Sequence, residues 1–410
     1  MTTNRSPDST QSHRLNMKRR QFILASSGVA GSLFVPSIRA AQPCPPPLIE
    51  RVGGGDTVAT TCPAGSTLSW AAAQMAPGTW VKVNTINQDA ALGVGPTSGS
   101  MIHYCNQMPW NPVRKSIEIV AMDHNAGMQR YVRYNDLTNA FEVVQADDGA
   151  GGSTRHGYGH TAVNPYTGDL YHRLAEFNYE GSGPLVRKWA QGGSSWTSLA
   201  RPTTLYYMQN AIASCWWSGS FTGAGTQGCL LVYNSGDSAI GGSASDGGMY
   251  AYNPLTNSWF WTSRSMSPFY GTSGATYHSV MAYSAARNVA VYGGGNDNPR
   301  KIWRLNADRS VTPMPDTPAG CTLGVQQGVL CEDPVTGNFL VLSQGSLFEL
   351  NPTGSGTWTK LSGSRVPPSG MGNPTAPDGV ICTPIKDYGV VAYINQTSRT
   401  GGSFFLYKHA

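Results

Sequence analysis

The residues of this chain best suited to moving protons are its histidines, and they are unevenly spread. Of the eight, His103, His124, His156, His160, His172 and His278 fall where short apolar runs place the start of a first strand or the end of a second strand in a four-stranded antiparallel unit. In an up-and-down unit those two points lie at the same end, so all six map to one rim. The densest piece, 155–173, reads RHGYGHTAVNPYTGDLYHR and holds His156, Tyr158, His160, His172 and Arg173. Imidazole, phenol and guanidinium together suit removal of the proton beside a carboxylate. The cation neutralises the carboxylate, one acid/base group takes the α-proton, and a second protonates the leaving oxygen. That is the chemistry of β-elimination from a uronate sugar. His156, Tyr158 and His172 are the acid/base candidates and Arg173 the neutraliser, with His124, Asn125, Tyr277 and His278 facing them across the mouth. His160 and His103 would line the substrate path, and Trp216 and Trp217 offer rings for stacking on a sugar, although Trp is also an ordinary packing residue.

Two other uses of the same histidines stand beside this one. One is a bland role, in which an imidazole at a strand start satisfies a neighbouring backbone group. Converging imidazoles from different units also suit a divalent metal, Zn or Cu. No nucleophile elbow, phosphate loop or dinucleotide fingerprint is present. Acidic residues are sparse on the proposed rim, against the paired carboxylates of a glycosidase. The segment 234–248, NSGDSAIGGSASDGG, lacks the spacing of a calcium loop.

The elements that must position these groups are short strands. Segment 274–306, GATYHSVMAYSAARNVAVYGGGNDNPRKIWRLN, opens a strand at Tyr277-His278, turns at 284–287, returns through an apolar run, breaks at Gly293-Gly294-Gly295 and begins a third strand. This unit resembles a blade of the galactose-oxidase/kelch β-propeller superfamily, which implies an all-β propeller. Tyr277-His278-Ser279 followed by three glycines is similar to the galactose-oxidase strand that carries a copper-ligating Tyr-His pair. The HGYGH opening resembles that of the ulvan-lyase type of secreted polysaccharide lyases, which implies an extracellular acidic polysaccharide as substrate. Six blades are expected, at 100–145, 156–199, 210–263, 275–313, 322–361 and 370–409, with a seventh only if the N-terminal arm holds one. The sixth stops after three strands, and the isolated run GTWVKVNT at 78–85 is expected to supply its missing edge. Such closure leaves no blade edge open.

Residues 17–40, MKRRQFILASSGVAGSLFVPSIRA, carry a basic start, a short apolar stretch and small residues at Ala40-Ala41, and Arg19-Arg20 resembles a twin-arginine export signal. The expected division is a signal at 1–41, a Pro/Gly-rich arm at 42–77, irregular over 42–69, and the propeller at 78–410, in a periplasmic or secreted protein. The formal charge of +5 comes from the leader. Without the six basic side chains and one acid of residues 1–40, 22 of each sign remain. That balance disfavours nucleic acid or an anionic membrane as partner. No later stretch is apolar enough to span a bilayer. Eight cysteines in an exported chain suggest disulfides, with Cys215–Cys229 and Cys44–Cys62 the expected pairs. Cys321 and Cys331 are too far apart along an extended strand to bridge, and Cys105 and Cys382 are left unassigned.

Overall fold

The computed structural model describes residues 50–51, 68–93, 100–122, 129–147, 156–173, 186–202, 213–234, 248–263, 278–296, 298–369, 371 and 379–410. These belong to one compact unit, 44–410. It is nearly all β: six antiparallel sheets arranged as the six blades of a propeller, five with four strands each. The innermost strands are Trp110–Asn111, Thr161–Val163, Ala213–Trp217, Val280–Ser284, Gly328–Glu332 and Val380–Ile385. Each is followed outward by its next strand through an antiparallel register, such as Val280↔Gly293 to Ser284↔Val289 in the fourth blade.

The sixth sheet has five strands, and its order shows how the ring closes. After Val380–Ile385, Val390–Asn395 and Ser403–Lys408 comes Thr79–Val83 from the other end of the chain, then Glu50–Arg51. The expected closing strand is therefore in place, antiparallel, with Trp80 opposite Tyr407 and Val81 opposite Leu406. Neither face of this strand is bare: Trp80 is buried on one side and Val81 and Val83 on the other, while Thr79 and Lys82 are partly open. Trp80 packs on Tyr407 and Tyr393 at ring separations of 4.4 and 5.2 Å.

One part of the expected irregular arm is helical. Residues Leu68–Gln74 form a two-turn helix whose Leu68, Ala71 and Ala72 are buried in a core cluster with Val81, Ile394 and Leu406. Three apolar residues at i, i+3 and i+4 form one helical face, and the alanine run favours helix intrinsically. The Pro/Gly/Thr content of the arm as a whole masked this local pattern.

The expected Cys215–Cys229 disulfide is absent: both are free, buried thiols. The register explains it, since Cys215 pairs with Leu231 and Cys229 with Trp217. The two cysteines are diagonal neighbours, about 7–8 Å apart in such a ladder, whereas a bridge needs Cβ atoms about 4 Å apart. Cys321 and Cys331, not expected to bridge each other, are free thiols, and so are Cys105 and Cys382, whose pairing the sequence left open. Cys44 and Cys62 lie outside the described residues, as does the whole leader, 1–41.

A candidate acid/base cluster at the entry end

All six inner strands run the same way, so the propeller has an entry end, where they begin, and an exit end, where they finish. The motif HGYGH leads into the inner strand of the second blade. Its glycines are there because the backbone has no room: a Cβ on Gly157 would stand 2.0 Å from Cys105 Sγ, and one on Gly159 would press on Asn106 and Ala213. The two close approaches match bridges to neighbouring inner segments, Cys105↔Tyr158 and Gly159↔Ala213. Small residues against the walls leave His156, Tyr158 and His160 as the side chains this segment presents. Tyr158 stands at φ +38° and His278 at +71°, backbone regions that cost a non-glycine residue about 1–3 kcal/mol and cluster at functional sites.

The result is a continuous aromatic and imidazole cluster. Tyr158 lies at its centre, with ring centroids 5.1 Å from His156, 5.1 Å from His160 and 5.5 Å from His278. The Tyr158 hydroxyl and His156 Nδ1 are 2.6 Å apart, sharing a proton. Tyr104 covers His156 at 4.3 Å and adjoins His103 at 4.9 Å. Beneath, Arg173 Nη1 donates to His160 Nε2 at 3.0 Å, which makes that nitrogen an acceptor. His172 receives Arg187 Nε at Nδ1 (3.3 Å), and Arg187 Nη2 also donates to Gln129 Oε1 at 2.9 Å. The Arg187 guanidinium lies 4.1 Å over the Trp196 ring.

The expected residues are thus sorted by depth. His103, Tyr104 and His278 are partly open, whereas His156, Tyr158, His160, His172, Arg173 and Arg187 are buried. Arg173 is 1% exposed, and burial moves its pKa well below the usual guanidinium value, with Tyr158 nearby acting in the opposite sense. His124, Asn125 and Tyr277 lie outside the described residues. The sugar-stacking role expected of Trp217 is corrected: it is fully buried between blades three and four against Phe221 and Tyr283. Trp216 belongs to the other end of the ring, because two residues of strand per pleat carry it away from the entry. Tyr104, Gln129, Arg187 and Asn296 were missed. Tyr104 adjoins a flagged histidine and could have been found, but Gln129 and Arg187 approach only through packing of adjacent blades.

For the metal reading, His156 Nδ1 meets Tyr158, His160 Nε2 accepts from Arg173, and the two nitrogens of His172 meet Arg187 and Gln129. Among the described residues no three His, Cys, Asp or Glu side chains are grouped to hold an ion.

His278 has a consequence for acid stability. Burial lowers its pKa from 6.5 to about 4, despite a 3.1 Å hydrogen-bonding contact between Nδ1 and Asn296 Oδ1. Between those two values the unfolded chain takes up a proton that the native state refuses, so stability falls as pH falls from about 6.5 toward 4, by up to about 3 kcal/mol. Urea unfolding of His278→Asn, a residue that tolerates positive φ, should lose less stability than wild type over that range. Parallel losses would refute the assignment.

No family model matches the chain, and no curated protein matches it. Solved structures with similar folds include a Bacteroides thetaiotaomicron protein of unknown function, 13% identical with a TM-score of 0.48, covering 87% of this chain and 86% of that one. An auxiliary nutrient binding protein from Bacteroides ovatus is 9% identical with a TM-score of 0.48, over 80% of this chain and 76% of that one. An alpha-L-arabinanase of Penicillium chrysogenum is 12% identical with a TM-score of 0.46, over 80% and 98%. The propeller fold rests on the sheet order. These neighbours do not single out the kelch and galactose-oxidase branch.

Proposed function

We propose that this is an exported propeller whose entry-end cluster binds an acidic extracellular polysaccharide and cleaves it by β-elimination. The observation that carries the reading is the 2.6 Å contact of Tyr158 Oη with His156 Nδ1, set among further histidines and two buried arginines. His156 accepts the phenolic proton, and the resulting phenolate takes the proton α to the uronate carboxylate. The C–O bond at the β position breaks, a carbon–carbon double bond forms, and the leaving oxygen receives a proton from the imidazolium. The positive field of Arg173 and Arg187 favours the carboxylate as negative charge builds on it. Tyr104 and His278, partly open, meet the sugar first.

The test is direct. The mature protein is incubated with a panel of uronate-containing polysaccharides while ultraviolet absorbance of the unsaturated product is followed. A rising trace with at least one polymer is expected. A flat trace across the panel with retained binding would leave a non-catalytic carbohydrate-binding module, the reading that the burial of His156, His160 and His172 favours.

A further inference from the structure

The exit end of the ring holds a cavity of about 330 Å³, where the inner strands finish. That is within the roughly 300–1000 Å³ of small-molecule pockets. It draws residues from all six blades, among them Trp110, Pro112, Trp216, Tyr283, Glu332 and Lys386. The feature that asks for explanation is Glu332. It ends an inner strand, is 1% exposed, and neither carboxylate oxygen has a hydrogen-bond partner among the described residues. Lys386 Nζ stands 3.0 Å from Oε2 without hydrogen-bond alignment, and its own side chain is 44% exposed. Oε2 is thus ion-paired with Lys386, whereas Oε1, buried and with no partner among the described residues, is costly unless a donor arrives.

We propose that this cavity binds a single neutral sugar ring, its hydroxyls donating to Glu332 and one apolar face lying against the Trp110 and Trp216 indoles. Three observations select that class of ligand. The carboxylate wants donors, which excludes a plain hydrocarbon. Lys386 beside Glu332, and Lys115 paired with Asp387 at 2.6 Å, already balance the local charge, so an organic cation or an anion would each meet a like charge. The indole nitrogens are satisfied by Asp387 and by the Gln227 carbonyl, so the two tryptophans bring carbon surface and no free donor to the cavity lining. Aromatic faces plus a carboxylate acceptor match a pyranose or furanose, apolar on its C–H face and rich in hydroxyls at its edge. The inference is independent of the β-elimination reading, since the two sites occupy opposite ends of the ring.

Tryptophan fluorescence of the mature protein titrated with D-galactose, D-glucose, D-mannose and L-arabinose tests it. At least one sugar should give a saturable change with a Kd of about 0.1–10 mM. Glu332→Gln, which keeps shape but loses charge, should weaken that sugar about tenfold or more. Tyr158→Phe, at the far end, should leave it unchanged. Absence of saturable binding by any of the four overturns the proposal, as does binding that Glu332→Gln leaves intact. Saturation by a small amine in place of the sugars overturns the neutral-ligand assignment. Should Glu332→Gln fail to fold, Trp216→Phe provides the same comparison.

Discussion

Replacing Tyr158 with Phe is expected to lower turnover of the responsive polysaccharide by about 10²–10⁴-fold, the usual loss when a positioned proton-transfer group is removed. The variant keeps the ring contacts to His156, His160 and His278 and deletes only the hydroxyl that meets His156 Nδ1. Its cost to stability should stay near the 1–3 kcal/mol of a buried nitrogen left short of a partner. Catalysis and folding therefore separate in one experiment: initial rates from the absorbance assay and a thermal melt on the same sample. His156→Ala should fall with it in kcat and add little when combined, because the two groups form one proton relay. A Tyr158→Phe enzyme with wild-type kcat would remove the phenol from the mechanism and leave the cluster a structural network.

Trp80→Ala should cost about 3–5 kcal/mol, the range for emptying a buried indole site. It is the largest stability loss expected of any single change considered, and its cause is topological. Trp80 sits at 1% exposure on the strand that joins the two ends of the chain, wedged against Tyr393 and Tyr407. Weakening that strand loosens the one seam of the ring held by non-sequential chain, where the register runs from Thr79↔Lys408 to Val83↔Phe404. Chemical denaturation would show a lower midpoint. An increased urea slope is not required, since the surface exposed on full unfolding is unchanged. A midpoint equal to wild type would mean that the seam contributes nothing to global stability.

Much of the architecture was legible in the primary structure because it is local. Short alternating runs bounded by turn residues mark the blades, with Asn-Pro-x-Thr turns at 164–167 and 253–256, and the solitary run at 78–85 needs an edge to pair with. The structure provides that edge at Ser403–Lys408. Less was legible of the disulfides, since Cys215 and Cys229 flank a hairpin in sequence yet fall on diagonal positions once the register is set. The helix Leu68–Gln74 was obscured by its surroundings for a related reason: composition averaged over an arm conceals seven residues of regular pattern.

For the site, residue types and strand phase together indicate that several histidines share one end of the ring, because the period of the pleat and the up-and-down path leave few alternatives. Depth is another matter. Whether His172 and Arg173 face solvent or a neighbouring blade depends on how adjacent sheets pack, and packing is a sum of contacts between residues far apart in sequence, such as Gln129, His172 and Arg187. The same holds for Trp216 and Glu332. Nothing near either in the chain marks it as a cavity wall, and only closure of six blades into a ring brings them around a common space. Local sequence thus determined most of the strands and the end of the ring that the described rim histidines share, while the tertiary structure decided which side chains are buried, which are open, and what they touch.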